Sequence, residues 1–328
     1  MKKAEETEGI EKQERVVSSE RSDEKERAEK GERSVGKERA GGPERSEKNE
    51  RFKLSRDEVK AAGKFSREEA LALVGMYYAL QKVRVAQGNR ISAQERGTDQ
   101  MAAMPLAPEN ELPIVKRLKD ETLRIELQCQ RALKEFASAS LLGRWAMEQY
   151  GVGPVIASGL LAHIDIKRAR WAGQIWSFGG LNPDQQWSKG EKRPFNAPLK
   201  KLLWNMGECF KRVSGKPEAF YGQLYAKRKV LEVGRNERGE FAKLAKEMLD
   251  EAMAKKWRIS KEMKECWESG KLQKAGLDLR AMRYAVKIFL AHYHQIGREI
   301  YCGEKVQPWV IVHGGHDTYI PPPNWPME

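Results

Sequence analysis

A chain of 328 residues is long enough for one large domain or two modest ones, and its nine tryptophans require a buried core. The formal net charge of +13 favours a polyanionic partner, nucleic acid foremost, although a membrane surface would attract the same sign. No apolar run approaches the roughly 20 residues that span a bilayer, the charged start has no signal-peptide core, and Cys129, Cys209, Cys266 and Cys302 lack Cys-x-x-Cys spacing, so a membrane span, secretion and a disulfide framework are not expected, and reduced thiols in a cytoplasmic protein are.

Residues 1–51 hold 14 Lys and Arg against 15 Asp and Glu, so the positive surplus belongs to residues 52–328. A 12-residue repeat runs through the first 51, opened by Glu20-Arg21-Ser22, Glu32-Arg33-Ser34 and Glu44-Arg45-Ser46. Large apolar residues are nearly absent there, and burial could not offset the entropy of ordering. A disordered, charged repeat tail without a site is the expectation. Folded sequence begins near Phe52. Ser66 and Glu69 have capping-box spacing, and Leu71, Val74, Tyr78 and Leu80 recur at helical intervals up to Gly88. A polar linker over 89–110 comes next. Leu112, Val115, Leu118, Leu123, Leu127, Leu133 and Phe136 then predict one long helix, either an arm or a helix packed on the core.

The centre of the chain carries the sharpest signal. Trp145, Met147 and Tyr150 close one apolar segment, Gly151-Val152-Gly153-Pro154 makes a turn, and Val155, Ile156, Leu160, Leu161 and Ile164 continue beyond it. Glycines at 151 and 153 permit positive φ and leave no side chain between backbone and ligand. The amides that open the second helix lack intrahelical partners and favour an anion, and Ala157 allows close helix approach. This is the recipe of a helix-hairpin-helix, which holds duplex DNA by its phosphates; a plain turn between core helices is the alternative. Between Gln185 and Lys229 stand eleven basic residues, including Lys189, Lys192, Arg193, Lys200 and Lys201, opposed only by Glu191, Glu208 and Glu218. Such a surplus gives salt-dependent affinity for a polyanion.

Taken together, Gly-Val-Gly-Pro, the segment Phe178-Gly-Gly-Leu-Asn-Pro183 and the loop Ser188-Lys-Gly-Glu-Lys-Arg193 resemble the C-terminal half of DEDD-type insertion-sequence transposases, the bridge-RNA-guided recombinases. The likeness covers residues 110–230 and, more loosely, 280–300, where the apolar helix from Ala281 to Ile296 is similar to the family's last helix. It implies Ser188 as a DNA-attacking nucleophile, with Gly190 and Lys192 matching its loop, and a long helical arm with dimer contacts at 112–136. The family's RuvC-like domain, whose acids hold two metal ions, has no counterpart: Asp57, Asp99 and Asp120 lie in helical or loop-like sequence. Magnesium, if used, would thus come through a partner chain carrying such a domain. An activated serine needs a base and a site for developing charge; Lys189, Lys192 and Arg193 suit the second task, and nothing nearby suits the first. Asp165, just past the hairpin, reads as an exposed helix-end carboxylate.

Trp171, Trp176, Phe178 and Trp187 interleave with basic residues, a pattern that serves stacking on unpaired bases or, more simply, a core. His292 and His294 do not share a helix face and make a poor chelating pair; His313-Gly-Gly-His316-Asp317 reads as a loop. Phe241, Leu244, Ala245, Met248, Leu249 and Ala252 form an amphipathic helix, and Met282, Ala285, Val286, Phe289, Tyr293 and Ile296 form another. Val310-Ile311-Val312 reads as a short strand and Pro321-Pro322-Pro323 as an extended tail.

The sequence therefore predicts a mostly α-helical protein with a helix-hairpin-helix DNA-binding module, a preceding arm and a disordered tail. The expected divisions are 1–51 (tail), 52–147 (helical region with arm), 148–235 (hairpin and serine loop), 236–303 (helical extension) and 304–328 (C-terminal tail). Gly151, Gly153, Lys189, Lys192, Arg193, Lys200 and Lys201 would hold duplex DNA, and Ser188 would be the nucleophile of a transposase or site-specific recombinase acting in DNA transposition. The resemblance adds a guide RNA and a homo-oligomer or RuvC-bearing partner, with no resident metal. The alternatives are a non-catalytic DNA-binding remnant or regulator of a mobile element, and an RNA-binding scaffold.

Overall fold

A computed structural model describes residues 53–95, 113–315 and 318–327, apart from Asp184, Gln186 and Lys189. All of them fall in the unit Phe52–Glu328. The repeat tail, residues 96–110 of the linker, Asp99, His316 and Asp317 lie outside the described residues, as does Lys189.

Helix α1 (Arg56–Ala61) leads through a 3-10 turn at Ala62–Lys64 into α2 (Arg67–Glu95). Both helices open on reciprocal caps: the Ser66 amide donates to the Glu69 carboxylate at 2.7 Å and the Glu69 amide to the Ser66 hydroxyl at 3.2 Å, as the spacing predicts. Ser55 and Glu58 repeat the device. Helix α2 does not stop at Gly88 but runs seven residues further, so the linker expected from 89 begins later.

Helix α3 (Pro113–Ser138) is the long helix read from the sequence, yet it does not stand free as an arm. It runs antiparallel to α2. Val74 of α2 packs with Leu133 of α3, and further along the Arg84 guanidinium bonds the buried Glu126 carboxylate at 2.7 Å. Its second half is held by burial of Cys129, Ala132, Leu133 and Ala137. Apolar residues on the first half, Ile114, Leu118 and Leu123, remain exposed, as does Leu127.

Helices α4 (Leu141–Glu148) and α5 (Pro154–His163) come next, then the short α6 (Ala172–Phe178), α7 (Ala197–Arg212) and α8 (Phe220–Glu237). Helices α9 (Ala242–Ala254) and α10 (Lys261–Glu268) precede α11 (Lys274–Cys302) and the single turn α12 (Trp309–Val312). Among the described residues there is no strand. The segment read as a strand, Val310–Val312, is instead helical: the amides of Ile311 and Val312 bond the Pro308 carbonyl, and no neighbouring strand offers a ladder.

The main core draws on residues from Ala137 to Ile296, across the divisions expected at 147 and 235. Helix α11 is its axis: Met282, Ala285, Val286, Phe289, Tyr293 and Ile296 are all buried, the face that the sequence periodicity marks. Trp145 stacks on Phe289 with centroids 5.5 Å apart, and Phe210 and Tyr221 stack at 5.2 Å. A smaller cluster joins α9 and α10 through Phe241, Ala245, Ala252 and Trp267. Close backbone approach is also essential: a Cβ on Gly143 would lie 2.1 Å from the Ala137 carbonyl oxygen. Because backbone cannot move aside as a side chain does, Gly143→Ala is expected to cost about 3 kcal/mol or more in chemical denaturation. A loss below about 1 kcal/mol would show that α4 can shift.

Two buried carboxylates tie the helices together. Asp278 of α11 accepts from Lys211 of α7 and from Lys229 and Tyr225 of α8. Burial alone would raise its pKa, but these bonds outweigh it and bring the group to about 2. Glu232 of α8 accepts from Arg228 and from Arg280 of α11, which hold it below the ordinary carboxylate range despite burial.

The C-terminal segment docks on this core. Trp145 Nε1–H donates to the Pro323 carbonyl at 2.8 Å, and Trp325 Nε1–H donates to the Glu299 carboxylate at 2.9 Å. His292 Nε2–H donates to the Ile320 carbonyl at 2.8 Å, which leaves Nδ1 to accept from the Tyr221 hydroxyl at 2.8 Å. His294 turns elsewhere, to the Ala169 carbonyl at 2.9 Å.

Candidate nucleic-acid interface

The turn between α4 and α5 spans Gln149–Gly153. Gly151 has φ +93°, and a Cβ there would approach Phe210 Cδ1 to 3.2 Å, so this position needs glycine for both backbone and packing. Gly153 corrects the sequence reading. Its φ of −88° and ψ of 174° are extended backbone that any residue adopts, and nothing lies within 4 Å of its would-be Cβ. What glycine provides at 153 is open space in front of the first turn of α5. Pro154 has no N–H, so the available donors there are the amides of Val155 and Ile156.

This turn forms one wall of a groove of about 570 Å³. Tyr77 and Tyr78 of α2 line it, and Trp204, Glu208 and Arg212 of α7 close the far side. Positive charge gathers around it through aromatic contacts: Lys201 Nζ lies 5.8 Å from the Tyr78 ring and Lys216 Nζ 5.6 Å from the exposed Tyr150 ring. Glu208 is the one carboxylate among the lining residues.

The predicted basic set divides between two places. Lys201 stands over Tyr78, one of the residues that line the groove. Lys200, its neighbour in sequence, sits over Phe195 at 4.2 Å and lines a second cavity beside Gly180–Pro183. Arg193 covers Trp187 at 5.3 Å, and Trp187 meets Phe195 edge-on at 6.5 Å, which folds the serine loop back toward α7. Burial, then the like charges of Arg283 and Arg193, pull the Lys200 pKa below its ordinary value. Among the described residues Lys192, Arg193, Lys200 and Lys201 have no carboxylate partner.

Ser188 is exposed in this loop. Its amide donates to the Glu191 carboxylate at 2.8 Å and its carbonyl accepts from the Glu191 amide at 3.1 Å. Glu191 therefore caps the loop. Asp165 bonds the Lys167 amide at 3.1 Å and pairs with Arg67 at 3.5 Å, away from the serine loop's contacts. No group of three or more metal-ligating side chains occurs among the described residues.

The tryptophans divide. Trp176 packs on the core and donates to the Lys287 carbonyl at 3.2 Å, whereas Trp187 and Phe178 stay exposed. Sequence reading missed Trp204, Tyr77, Arg283 and Gln185. A basic residue beside Met282 on an apolar helix gives no sign of lining a cavity, because the cavity is made by α7 and the Gly180 loop. Trp204 was the one with a signal: a large aromatic on the polar edge of an amphipathic helix beside Lys200 and Lys201.

No protein-family model, curated protein or solved structure matches the chain.

Proposed function

We propose that the protein binds duplex DNA by its backbone and belongs to a transposition or recombination system. The observation that supports this best is the groove at the Gly151–Gly153 turn. There, unblocked amides at the start of a ten-residue helix share one concavity with Arg212, while Lys201 and Lys216 stand at its edges. Amides and mobile cations together suit phosphate oxygens and read little sequence. The reading is tested by duplex affinity across a salt series. With three to five phosphates neutralised, log K should fall with log salt at a slope of about −3 to −5. Salt-independent binding, or none, would count against the groove.

The wider reading makes Ser188 a nucleophile whose Oγ, on losing its proton, bonds a backbone phosphorus while one P–O bond to deoxyribose breaks and that oxygen leaves as a protonated hydroxyl; metal-bearing acids and any guide RNA are supplied by partners. Its support is the sequence resemblance, together with the exposure of Ser188 beside Lys192 and Arg193. Ser188→Ala should then abolish a covalent DNA adduct while leaving duplex affinity within about threefold; an adduct that persists in the variant removes Ser188 from the chemistry.

Self-association belongs to the same reading. Ile114, Leu118, Leu123 and Leu127 expose an apolar stretch of α3 where the resembled family makes dimer contacts. Replacing Leu123 and Leu127 by glutamate is expected to convert an oligomer to a monomer in light scattering, with the melting temperature unchanged.

A further inference from the structure

The cavity beside Gly180–Pro183 is chemically unlike the groove. It measures about 420 Å³, within the range of small-ligand sites, and three elements build it: the loop after α6, helix α7 and helix α11. Leu203, Met282 and Val286 give it an apolar floor. Lys200 of α7 and Arg283 of α11 both line it, and among the described residues no acidic one does. Arg283 is accessible to solvent yet crowded enough that burial, and then the like charge of Arg280, lower its pKa. Both cations are exposed and neither has a carboxylate partner among the described residues, so together they can clamp one phosphate. Gln185 adds a directional group: its Oε1 is buried and has no protein partner among the described residues, and it can accept from an N–H or O–H donor. Trp204 lines both this cavity and the groove, with about half of its surface exposed.

Phosphate for the cations, a flat apolar body for the floor and an N–H for Gln185 are the three parts of one nucleotide. We propose that this cavity receives a single unpaired nucleotide, its phosphate on Lys200 and Arg283, its base on the apolar floor beside Trp204 with a ring or exocyclic N–H toward Gln185. The inference rests on the DNA reading above and adds to it a preference for DNA with a displaced base. A base inside a duplex cannot reach the cavity, so the nucleotide must have left the stack. Trp204, at the junction of the two hollows, would mark where a strand held in the groove sheds one base into the cavity.

The test compares a fully paired duplex with the same duplex carrying one unpaired adenosine, by fluorescence anisotropy. In parallel, calorimetry measures binding of dAMP, deoxyadenosine and inorganic phosphate to the protein alone. The bulged duplex should bind about five- to a hundredfold more tightly, the range for one stacked base. Arg283→Met and Gln185→Leu, both checked for an unchanged melting temperature, should erase that preference while leaving paired-duplex affinity within about twofold. dAMP should outbind both deoxyadenosine and phosphate, showing that base and anion act together. Equal affinity for paired and bulged DNA would overturn the inference and leave duplex binding standing. Phosphate binding as tightly as dAMP would also overturn it, since the cavity would then take only an anion. Absence of paired-duplex binding with dAMP still bound at the cavity would support the nucleotide site and overturn the duplex reading alone.

Discussion

Gly153→Asp is expected to weaken duplex-DNA binding about ten- to a hundredfold at 0.1 M salt without lowering stability. The usual objection to such a variant, that it breaks the fold, is met by the local geometry. Backbone at Gly153 is extended and its would-be Cβ meets nothing within 4 Å, so the side chain fits. Gly153 is also the N-cap of α5, where aspartate can accept from the amides of Val155 or Ile156 and raise stability by a few tenths of a kcal/mol. The same bond uses the donors intended for phosphate and sets a negative charge in their place. One charge-assisted contact is worth about 1.5–3 kcal/mol, which is the stated fold-change. Gly153→Ser, which caps without the charge, should lose less, about threefold. Anisotropy titrations beside a melting curve decide it: a folded Gly153→Asp protein that binds duplex as tightly as the wild type would show that the turn is not the phosphate grip.

The second large effect is on stability and depends on pH. Burial holds His292 near pKa 4, against 6.5 in an exposed chain, and outweighs the bond to the Ile320 carbonyl, which favours the charged form; the bonds to Ile320 and Tyr221 fix the tautomer of the neutral ring. A depressed histidine pKa means that the unfolded chain takes up the proton first. The contribution is therefore fully present above about pH 6.5 and is lost as pH falls towards 4. From the size of the shift the loss is up to about 3 kcal/mol, or roughly 5–10 °C in melting temperature. His163 and His294 are shifted in the same direction, chiefly by burial, and add to it. Asp278, at about 2, contributes its loss only below its ordinary 3.8, beneath the His292 window, whereas Glu232 begins to lose its contribution as pH falls through its ordinary 4.5. Urea midpoints at pH 7, 5.5 and 4.5 should fall steadily, and His292→Gln should flatten the fall to a residual slope from His163 and His294. A midpoint unchanged between pH 7 and 5 would show that His292 is protonated without cost. Since Ile320 is its partner, protease cleavage near the C-terminal end should rise over the same pH window.

Much of the helical scaffold was legible because periodicity and capping are local. The Ser66–Glu69 box, the apolar face of α11 and the amphipathic α9 need no knowledge of distant residues, since a 3.6-residue repeat fixes which side is buried. The glycine turn and the basic surplus beyond it were legible in the same way. Where sequence reading failed, the deciding partner lay elsewhere in the chain. Helix α3 reads equally well as an arm or as a packed helix until α2 is seen lying against it, with Arg84 supplying the countercharge for Glu126. Val310–Val312 has strand propensity, but propensity yields without a neighbouring strand.

By itself the sequence determined a helical, strongly basic protein with a glycine turn built to leave backbone open, and the residues that fill its core. Only the tertiary structure decided that Lys200 lines the second cavity while Lys201 stands over Tyr78 of the groove, and that Trp204 lines both hollows. It also decided that Gly151 rather than Gly153 needs the left-handed backbone and that the Pro323 carbonyl accepts the Trp145 indole N–H. Patterns along the chain record which face of a helix is dry. They do not record which side chains from other helices meet there, and a binding surface is made of such meetings.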